Sequence, residues 1–160
     1  MKNAPYVDCS YKLAGGGFLS NVRDLVQFGN CMLYSYQQKP ETRLGYLKSE
    51  TMQTIWTPVE NTKLDWLKNS TGGGYGMGWG VVPSSEDPPF SRDQQFFVSH
   101  TGGAIGASSV LLILPTKEHV KSEAPHGVVV AMIANLQSTG LSIQALEIAK
   151  VFSEISDMSR

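Results

Sequence analysis

Ser99-His100-Thr101-Gly102-Gly103-Ala104 is the stretch around which the rest of this chain is interpreted. The aromatic and β-branched run before it, 96–98, suits a half-buried strand. The paired glycines are expected to end or bend that strand, because a backbone without Cβ accepts φ > 0 and allows close approach. An imidazole, a hydroxyl and two uncrowded amides thus meet at one strand edge, where they could receive an anion or a polarised carbonyl. Alone, such a string is usually only a strand that enters a turn. The rest of the sequence must therefore indicate whether it marks a functional site.

Composition indicates one globular domain over residues 1–160. The chain is 41% hydrophobic and 17% charged, which is ordinary for a folded domain. Its net charge of −1 argues against a nucleic-acid partner. No apolar run approaches the roughly 20 residues that span a bilayer, so no transmembrane segment is expected. The two cysteines lack a C-x-x-C spacing and no Cys/His cluster is complete, so neither a metal nor a cofactor is predicted.

The first half of the chain predicts two helices and one strand. Apolar residues recur at helical spacing over 22–36, with Ser20 as N-cap and Asp24 in the first turn. The triple glycine at 15–17 is interpreted as a corner between a strand and this helix. A shorter helix is predicted within 45–56. Large residues then alternate with glycine, which predicts a strand that carries four of them on one face: Tyr75, Met77, Trp79 and Val81.

The second half predicts three strands and a closing helix. The strands cover roughly 95–100, 107–114 and 127–135. Their connections carry no crossover helix, so neighbouring strands should be antiparallel. The last helix is predicted from Ser138 or Thr139 to Glu154, with an apolar stripe formed by Leu141, Ala145, Ile148, Ala149 and Phe152. The order of elements indicates an α+β fold in which helices flank an antiparallel sheet.

Three motifs in this order resemble the serine β-lactamase and penicillin-binding-protein superfamily. They are Leu13-Ala14-Gly15-Gly16-Gly17-Phe18-Leu19-Ser20, Tyr75-Gly76-Met77-Gly78-Trp79-Gly80 and His100-Thr101-Gly102. The last stands where the superfamily carries Lys-Thr-Gly or His-Thr-Gly on the strand that borders the active site. The wording of 99–112 resembles most closely the mitochondrial β-lactamase-like members of animals. The resemblance therefore implies the C-terminal portion of a β-lactamase/transpeptidase-like fold and a mitochondrial location.

The resemblance also implies a mechanism and a role for each residue of the strand. In the superfamily a serine attacks a carbonyl, a lysine and a tyrosine manage its proton, and an acyl-enzyme is hydrolysed. By position, His100 would supply positive or hydrogen-bonding character, and Thr101 would bind the carboxylate or polar rim of the substrate. The N–H of Gly103 would be an oxyanion-hole donor, and Gly102 and Ala104 would contribute to substrate binding. Histidine in place of lysine favours peptide or ester bonds over β-lactams.

The nucleophile motif of the superfamily is absent from these 160 residues. No Ser-x-x-Lys and no Tyr-x-Asn occurs in the sequence. In the superfamily both motifs lie upstream of the region that this chain resembles. The chain is therefore interpreted as the C-terminal part of a serine acyl hydrolase, inactive alone because the half with the nucleophile is missing.

Two other interpretations stay open from the sequence. The chain could be a non-catalytic binding or self-assembly module, forming a homo-oligomer or polymer through exposed sheet edges. It could also be an unrelated α+β domain whose His-Thr-Gly-Gly turn holds an anion. Labelling by a serine-directed covalent probe separates the first interpretation from these two.

Overall fold

The computed structural model describes residues 6–39, 45–64, 73–84, 94–116 and 126–158. After a 3-10 turn at Ser10–Lys12, the elements in chain order are α1 (Leu13–Gly16), α2 (Val22–Gln37), α3 (Ser49–Ile55), β1 (Gly74–Tyr75), β2 (Gly80–Val82), β3 (Phe97–Ala104), β4 (Ala107–Pro115), β5 (Gly127–Ala134) and α4 (Ser142–Met158). The predicted α+β architecture is confirmed.

The five strands form one antiparallel sheet in the order β1-β2-β3-β4-β5. Each strand therefore pairs with its neighbour in sequence, as the short connections predicted. β3 and β4 form a long hairpin that closes at the pair Ala104 and Ala107. Its two-residue turn uses Gly106 at φ +88°, a conformation that a side chain would make costly.

Helix α2 begins one residue later than predicted. Asn21, not Ser20, is the N-cap, and its side-chain oxygen accepts a hydrogen bond from the N–H of Asp24 at 3.0 Å. Asp24 lies in the first turn as expected, where its charge suits the helix dipole. In the middle of the helix Gly29 is buried, and a Cβ there would lie 2.5 Å from Cγ1 of Val129. The absence of a side chain therefore lets α2 lie close against the sheet.

The sheet has a core on each face. Along β4, Leu111 and Ile113 belong to the core on the α2 face, whereas Val110, Leu112 and Leu114 belong to the core on the α4 face. Small residues of α4 complete the second core: Ala145 and Ala149 are fully buried. Because β4 is covered on both faces, it is a continuous apolar run rather than an alternating one.

Aromatic rings fasten α2 and α3 to the sheet. Trp56, which follows α3, lies with its ring centroid 6.0 Å from that of Trp79 and 4.7 Å from that of Tyr36. Phe96, next to β3, stacks on Tyr36 at 5.7 Å. This aromatic cluster (Tyr36, Trp56, Trp79 and Phe96) joins α2, α3 and the sheet on the α2 face.

The predicted single strand over 75–81 is wrong. Two short strands, β1 and β2, are separated by a turn in which Gly78 has φ +82°. Consequently Trp79 is buried while Met77 is 65% exposed. The glycine at 76 does not mark a bare strand face, since a Cβ there would lie 2.5 Å from the carbonyl oxygen of Ile55.

Other boundaries also differ from the sequence predictions. The triple glycine does not form a strand-to-helix corner, because 13–16 is a helical turn. Helix α4 begins at Ser142, after Ser138 adopts φ +59°, which is incompatible with a regular helix. Two members of the predicted buried stripe, Ile148 and Phe152, are 39% and 58% exposed. The short helix within 45–56 is confirmed as α3.

Candidate active site

The predicted site residues all lie on β3, at the part of the strand that has one free edge. β2 pairs with β3 only as far as Gly80 opposite Ser99. From His100 to Ala104, β4 is the one strand of the described ranges that pairs with β3. Within the described residues, the other edge of this segment therefore carries backbone N–H and C=O groups that no strand partner engages. Such an edge can accept an extended ligand.

The strand does not end at its glycines, contrary to the sequence expectation. Gly102 pairs with Ser109 and Gly103 pairs with Ser108 in the β3–β4 ladder. A Cβ on Gly102 would collide with the Ser109 hydroxyl, whereas no atom of the described residues lies within 4 Å of a Cβ on Gly103. Glycine at 102 thus fits a close approach within the sheet, and Gly103 leaves open space beside its backbone.

The five residues from His100 to Ala104 carry different chemical groups. The side chains of His100 and Thr101 are exposed, as are both glycines. By strand alternation, His100 lies on the α2 face with Val98, and Thr101 lies on the opposite face. The imidazole and the hydroxyl therefore leave the strand in different directions, with the free backbone edge between them. Ala104 closes the segment at the hairpin turn.

A buried serine on β4 connects this segment to the loop before α4. Ser108, opposite Gly103, donates its hydroxyl proton to the carbonyl of Leu136 at 2.8 Å. The same oxygen accepts the N–H of Thr139 at 3.0 Å. Ser108 therefore ties the hairpin to the loop that leads into α4, and no motif in the sequence indicated this role.

Tyr75 is the site residue that sequence reasoning missed. Its hydroxyl oxygen lies 3.3 Å from Nδ1 of His100, and the two ring centroids are 6.4 Å apart. Tyr75 belongs to β1, and its side chain reaches His100 on β3 past Gly80, its pairing partner on β2. The Tyr-Gly-x-Gly-Trp motif includes this residue, but its contact with the imidazole is seen only in the folded structure.

The backbone of Tyr75 is held on both sides. Its N–H donates to the hydroxyl oxygen of Thr62 at 2.8 Å, and its carbonyl accepts the N–H of Val59 at 2.9 Å. The Thr62 hydroxyl also lies 3.2 Å from that carbonyl and 2.6 Å from the carbonyl of Val59. Thr62, together with Val59, therefore holds the backbone of Tyr75 in place.

Other reactive side chains do not form a second centre in the described part of the chain. Cys9 and Cys31 are both free thiols. No three His, Cys, Asp or Glu side chains in the described ranges could together hold a metal ion. His119 lies outside those ranges, and the backbone of His126 is clamped by the Gln37 amide at 2.6 and 2.7 Å. Across the same ranges, no helix is long and apolar enough to cross a membrane.

Comparison with known proteins decides the family. The Beta-lactamase family model matches residues 1–151, nearly the whole chain. The chain belongs to the beta-lactamase family. It is 52% identical over 164 residues to the mouse serine beta-lactamase-like protein LACTB, mitochondrial, and 52% identical to its cattle counterpart. The human protein of the same name is 51% identical over 162 residues.

The alignment to each relative covers 95% of this chain but 29% of the relative. The chain thus spans less than a third of the length of these curated proteins. Family membership confirms the resemblance to β-lactamase-like serine hydrolases and removes the interpretation as an unrelated anion-binding domain. The names of the relatives support the mitochondrial location that the resemblance implied.

Proposed function

We propose that this chain forms one wall of the active site of a mitochondrial serine acyl hydrolase. The free edge of β3 from His100 to Ala104 carries the proposal, because a polypeptide-like substrate can pair with it as an added strand. The nucleophilic serine would come from polypeptide outside these 160 residues, in a Ser-x-x-Lys motif. The chain alone would then be inactive.

Each residue of the segment has a proposed part in acyl transfer. The N–H of Gly103 donates to the oxyanion that forms when the serine attacks, a kind of contact whose loss costs about 100- to 1,000-fold in rate. His100 donates beside the reacting carbonyl, and Thr101 binds a polar group at the rim. The backbone of Gly102 and Ala104 lies along the substrate. The strand pairing supports this assignment, since no described strand occupies the side of Gly103 that faces away from β4.

Peptide or ester bonds are the proposed substrates. A lysine at position 100 would hold the carboxylate of a β-lactam as a permanent cation, whereas imidazole is the weaker anchor at neutral pH. Neutral acyl compounds such as peptides and esters do not need that anchor. We therefore expect hydrolysis of small esters or peptides to exceed that of penicillins.

A covalent probe tests this proposal. The native polypeptide that contains the chain is treated with a fluorophosphonate, and the labelled residue is mapped by mass spectrometry. We expect one modified serine, outside the 160 residues and followed three positions later by lysine. His100→Ala should slow the labelling, whereas Tyr46→Phe, at a side chain that is 87% exposed, should not. No labelling, or labelling of a serine within the chain, contradicts the proposal.

A non-catalytic assembly module is the second candidate, and one surface favours it. Four apolar residues of α4 are exposed and share one helix face by their spacing: Ile148, Val151, Phe152 and Ile155. Apolar surface of this kind can pair copies of the chain into a homo-oligomer or polymer. Sedimentation of the polypeptide with and without Phe152→Glu tests it, with Glu154→Gln as control. This candidate requires self-association that Phe152→Glu abolishes, together with no serine labelling.

A further inference from the structure

One hydroxyl faces one nitrogen of the proposed site histidine. The Tyr75 hydroxyl oxygen lies 3.3 Å from Nδ1 of His100 and has no other hydrogen-bond partner among the described residues. The Nε2 atom of His100 also has no partner in that part of the chain, and the side chain is exposed at the free edge of β3. Nε2 is therefore the ring nitrogen that remains available to a ligand.

The chemistry of the two groups gives this hydrogen bond a direction. In a neutral imidazole one nitrogen carries the proton and the other offers a lone pair. The lone pairs of a phenol oxygen are delocalised into its ring, so a phenol donates better than it accepts. The bare nitrogen of imidazole is in turn a strong acceptor. A Tyr75 hydroxyl that donates to Nδ1 requires the proton of neutral His100 to reside on Nε2.

We infer that Tyr75 is a positioning residue that fixes the tautomer of His100, so that His100 offers an Nε2–H donor to an oxygen of the substrate. The inference rests on the proposed function, because it specifies what the proposed site gives to its ligand. The matching substrate group is an acceptor, namely a carbonyl or carboxylate oxygen. His100 then acts as a hydrogen-bond donor and not as the base that activates the serine.

The arrangement around Tyr75 favours a defined role over a chance surface contact. Thr62 and Val59 bind both backbone polar groups of Tyr75, which sets the start of the side chain. The register β1-β2-β3 aligns Tyr75 with Gly80, and Gly80 with Ser99, the residue before His100. The strand pairing therefore brings Tyr75 to within one position of His100, and the contacts with Thr62 and Val59 hold its backbone there.

Nitrogen NMR tests the tautomer directly. The native polypeptide that contains the chain is labelled with 15N at its histidine rings, and its spectrum is recorded where imidazole is neutral. The His100 signals are assigned by their loss in His100→Gln. We expect an unprotonated Nδ1 and a protonated Nε2. Tyr75→Phe should raise the ratio of the Nδ1–H to the Nε2–H tautomer roughly two- to tenfold, the equivalent of one net hydrogen bond.

Matched variants separate positioning from general disturbance. Tyr46→Phe removes an exposed hydroxyl elsewhere and should leave the His100 signals unchanged. Thr62→Val keeps the Tyr75 hydroxyl but removes the oxygen that holds its backbone, and it should shift the tautomer ratio in the same direction as Tyr75→Phe. A proton on Nδ1 of neutral His100 in the unmodified protein, or no change in Tyr75→Phe, overturns the inference.

Acyl transfer provides a readout that distinguishes this inference from the proposed function. The terminal amide of glutamine can place an N–H near the position of Nε2–H but cannot act as a base. We therefore expect His100→Gln to be labelled faster by the fluorophosphonate than His100→Ala. Equal rates for the two variants overturn the donor role while leaving the hydrolase intact. The expected tautomer without any serine labelling supports the tautomer assignment and rejects the proposed function.

Discussion

The close packing of α2 on the sheet predicts that Gly29→Ala destabilises the protein although alanine is the better helix former. Alanine should gain about 1 kcal/mol in helix propensity. Its Cβ, however, would lie 2.5 Å from Cγ1 of Val129 and 3.3 Å from Cδ1 of Leu111. Val129 is β-branched and has few side-chain rotamers with which to retreat. Overpacking of this kind costs about 1–3 kcal/mol, so the net loss should be about 0–2 kcal/mol.

A double-mutant cycle with Val129→Ala makes this reasoning refutable. Val129→Ala alone removes two methyl groups and should cost about 1.5 kcal/mol. It also removes the atom that the added Cβ at position 29 would strike, and it leaves Cβ of residue 129 at the ordinary contact distance of 3.6 Å. In that background Gly29→Ala should stabilise by up to about 1 kcal/mol. The severe contact is gone, and the contact of 3.3 Å with Cδ1 of Leu111 needs only a small shift of that flexible side-chain end. The expected coupling is thus about 1–3 kcal/mol.

Equilibrium unfolding of the native polypeptide in urea measures all four proteins of the cycle. Gly15→Ala is the matched control, because in the described part of the chain no atom lies within 4 Å of a Cβ at that position. It should leave the free energy of unfolding unchanged or raise it by up to about 1 kcal/mol. If Gly29→Ala changes the free energy of unfolding equally with valine and with alanine at 129, close approach is not the reason for this glycine.

Two further predictions concern a buried serine hydroxyl, Ser108, and the half-buried phenol of Tyr36. Ser108→Ala should lower the free energy of unfolding by about 1–3 kcal/mol, because the N–H of Thr139 loses its partner at 3.0 Å. Urea unfolding measures it, and a loss within experimental error would contradict the bridging role. Burial raises the pKa of Tyr36 above its ordinary 10.0, so the unfolded chain ionises first as the pH rises. The contribution of the neutral phenol to the free energy of unfolding is complete below the unfolded pKa of about 10. It declines as the pH rises through the higher pKa of the folded state. Tyr36→Phe should flatten the alkaline decline in unfolding midpoint, whereas a slope like that of the control Tyr46→Phe would reject this account.

The sequence predicted the class of fold because long periodic segments report burial directly. Helix α2 and strand β4 were recognisable from apolar spacing alone, and three short motifs in order indicated the family. The alternation at 75–81 misled because glycine has two uses that look alike in sequence. At 76 it permits contact with a neighbouring carbonyl, and at 78 it permits a positive φ.

The sequence predicted the strand that carries the candidate site, but neither where that strand ends nor which side chains meet there. Its segment could be placed from the His-Thr-Gly motif, yet the glycines were expected to end it. They continue the ladder because Gly102 faces Ser109, a relation fixed by the register of a strand that follows later in the chain. The contact between Tyr75 and His100 joins residues 25 positions apart. It depends on the pairing of three strands, which no local pattern encodes.

The aromatic cluster makes the two faces of the sheet optically distinct. Tyr36, Trp56, Trp79 and Phe96 all belong to the core on the α2 face. Within the described residues, the core on the α4 face holds Phe97 as its one aromatic side chain among aliphatic ones. Near-ultraviolet circular dichroism requires fixed aromatic packing, so among the described residues it reports mainly on the layer of α2 and α3. Release of α4 alone should change the far-ultraviolet spectrum more than the near-ultraviolet one, so the order in which the two layers detach can be followed without any introduced label.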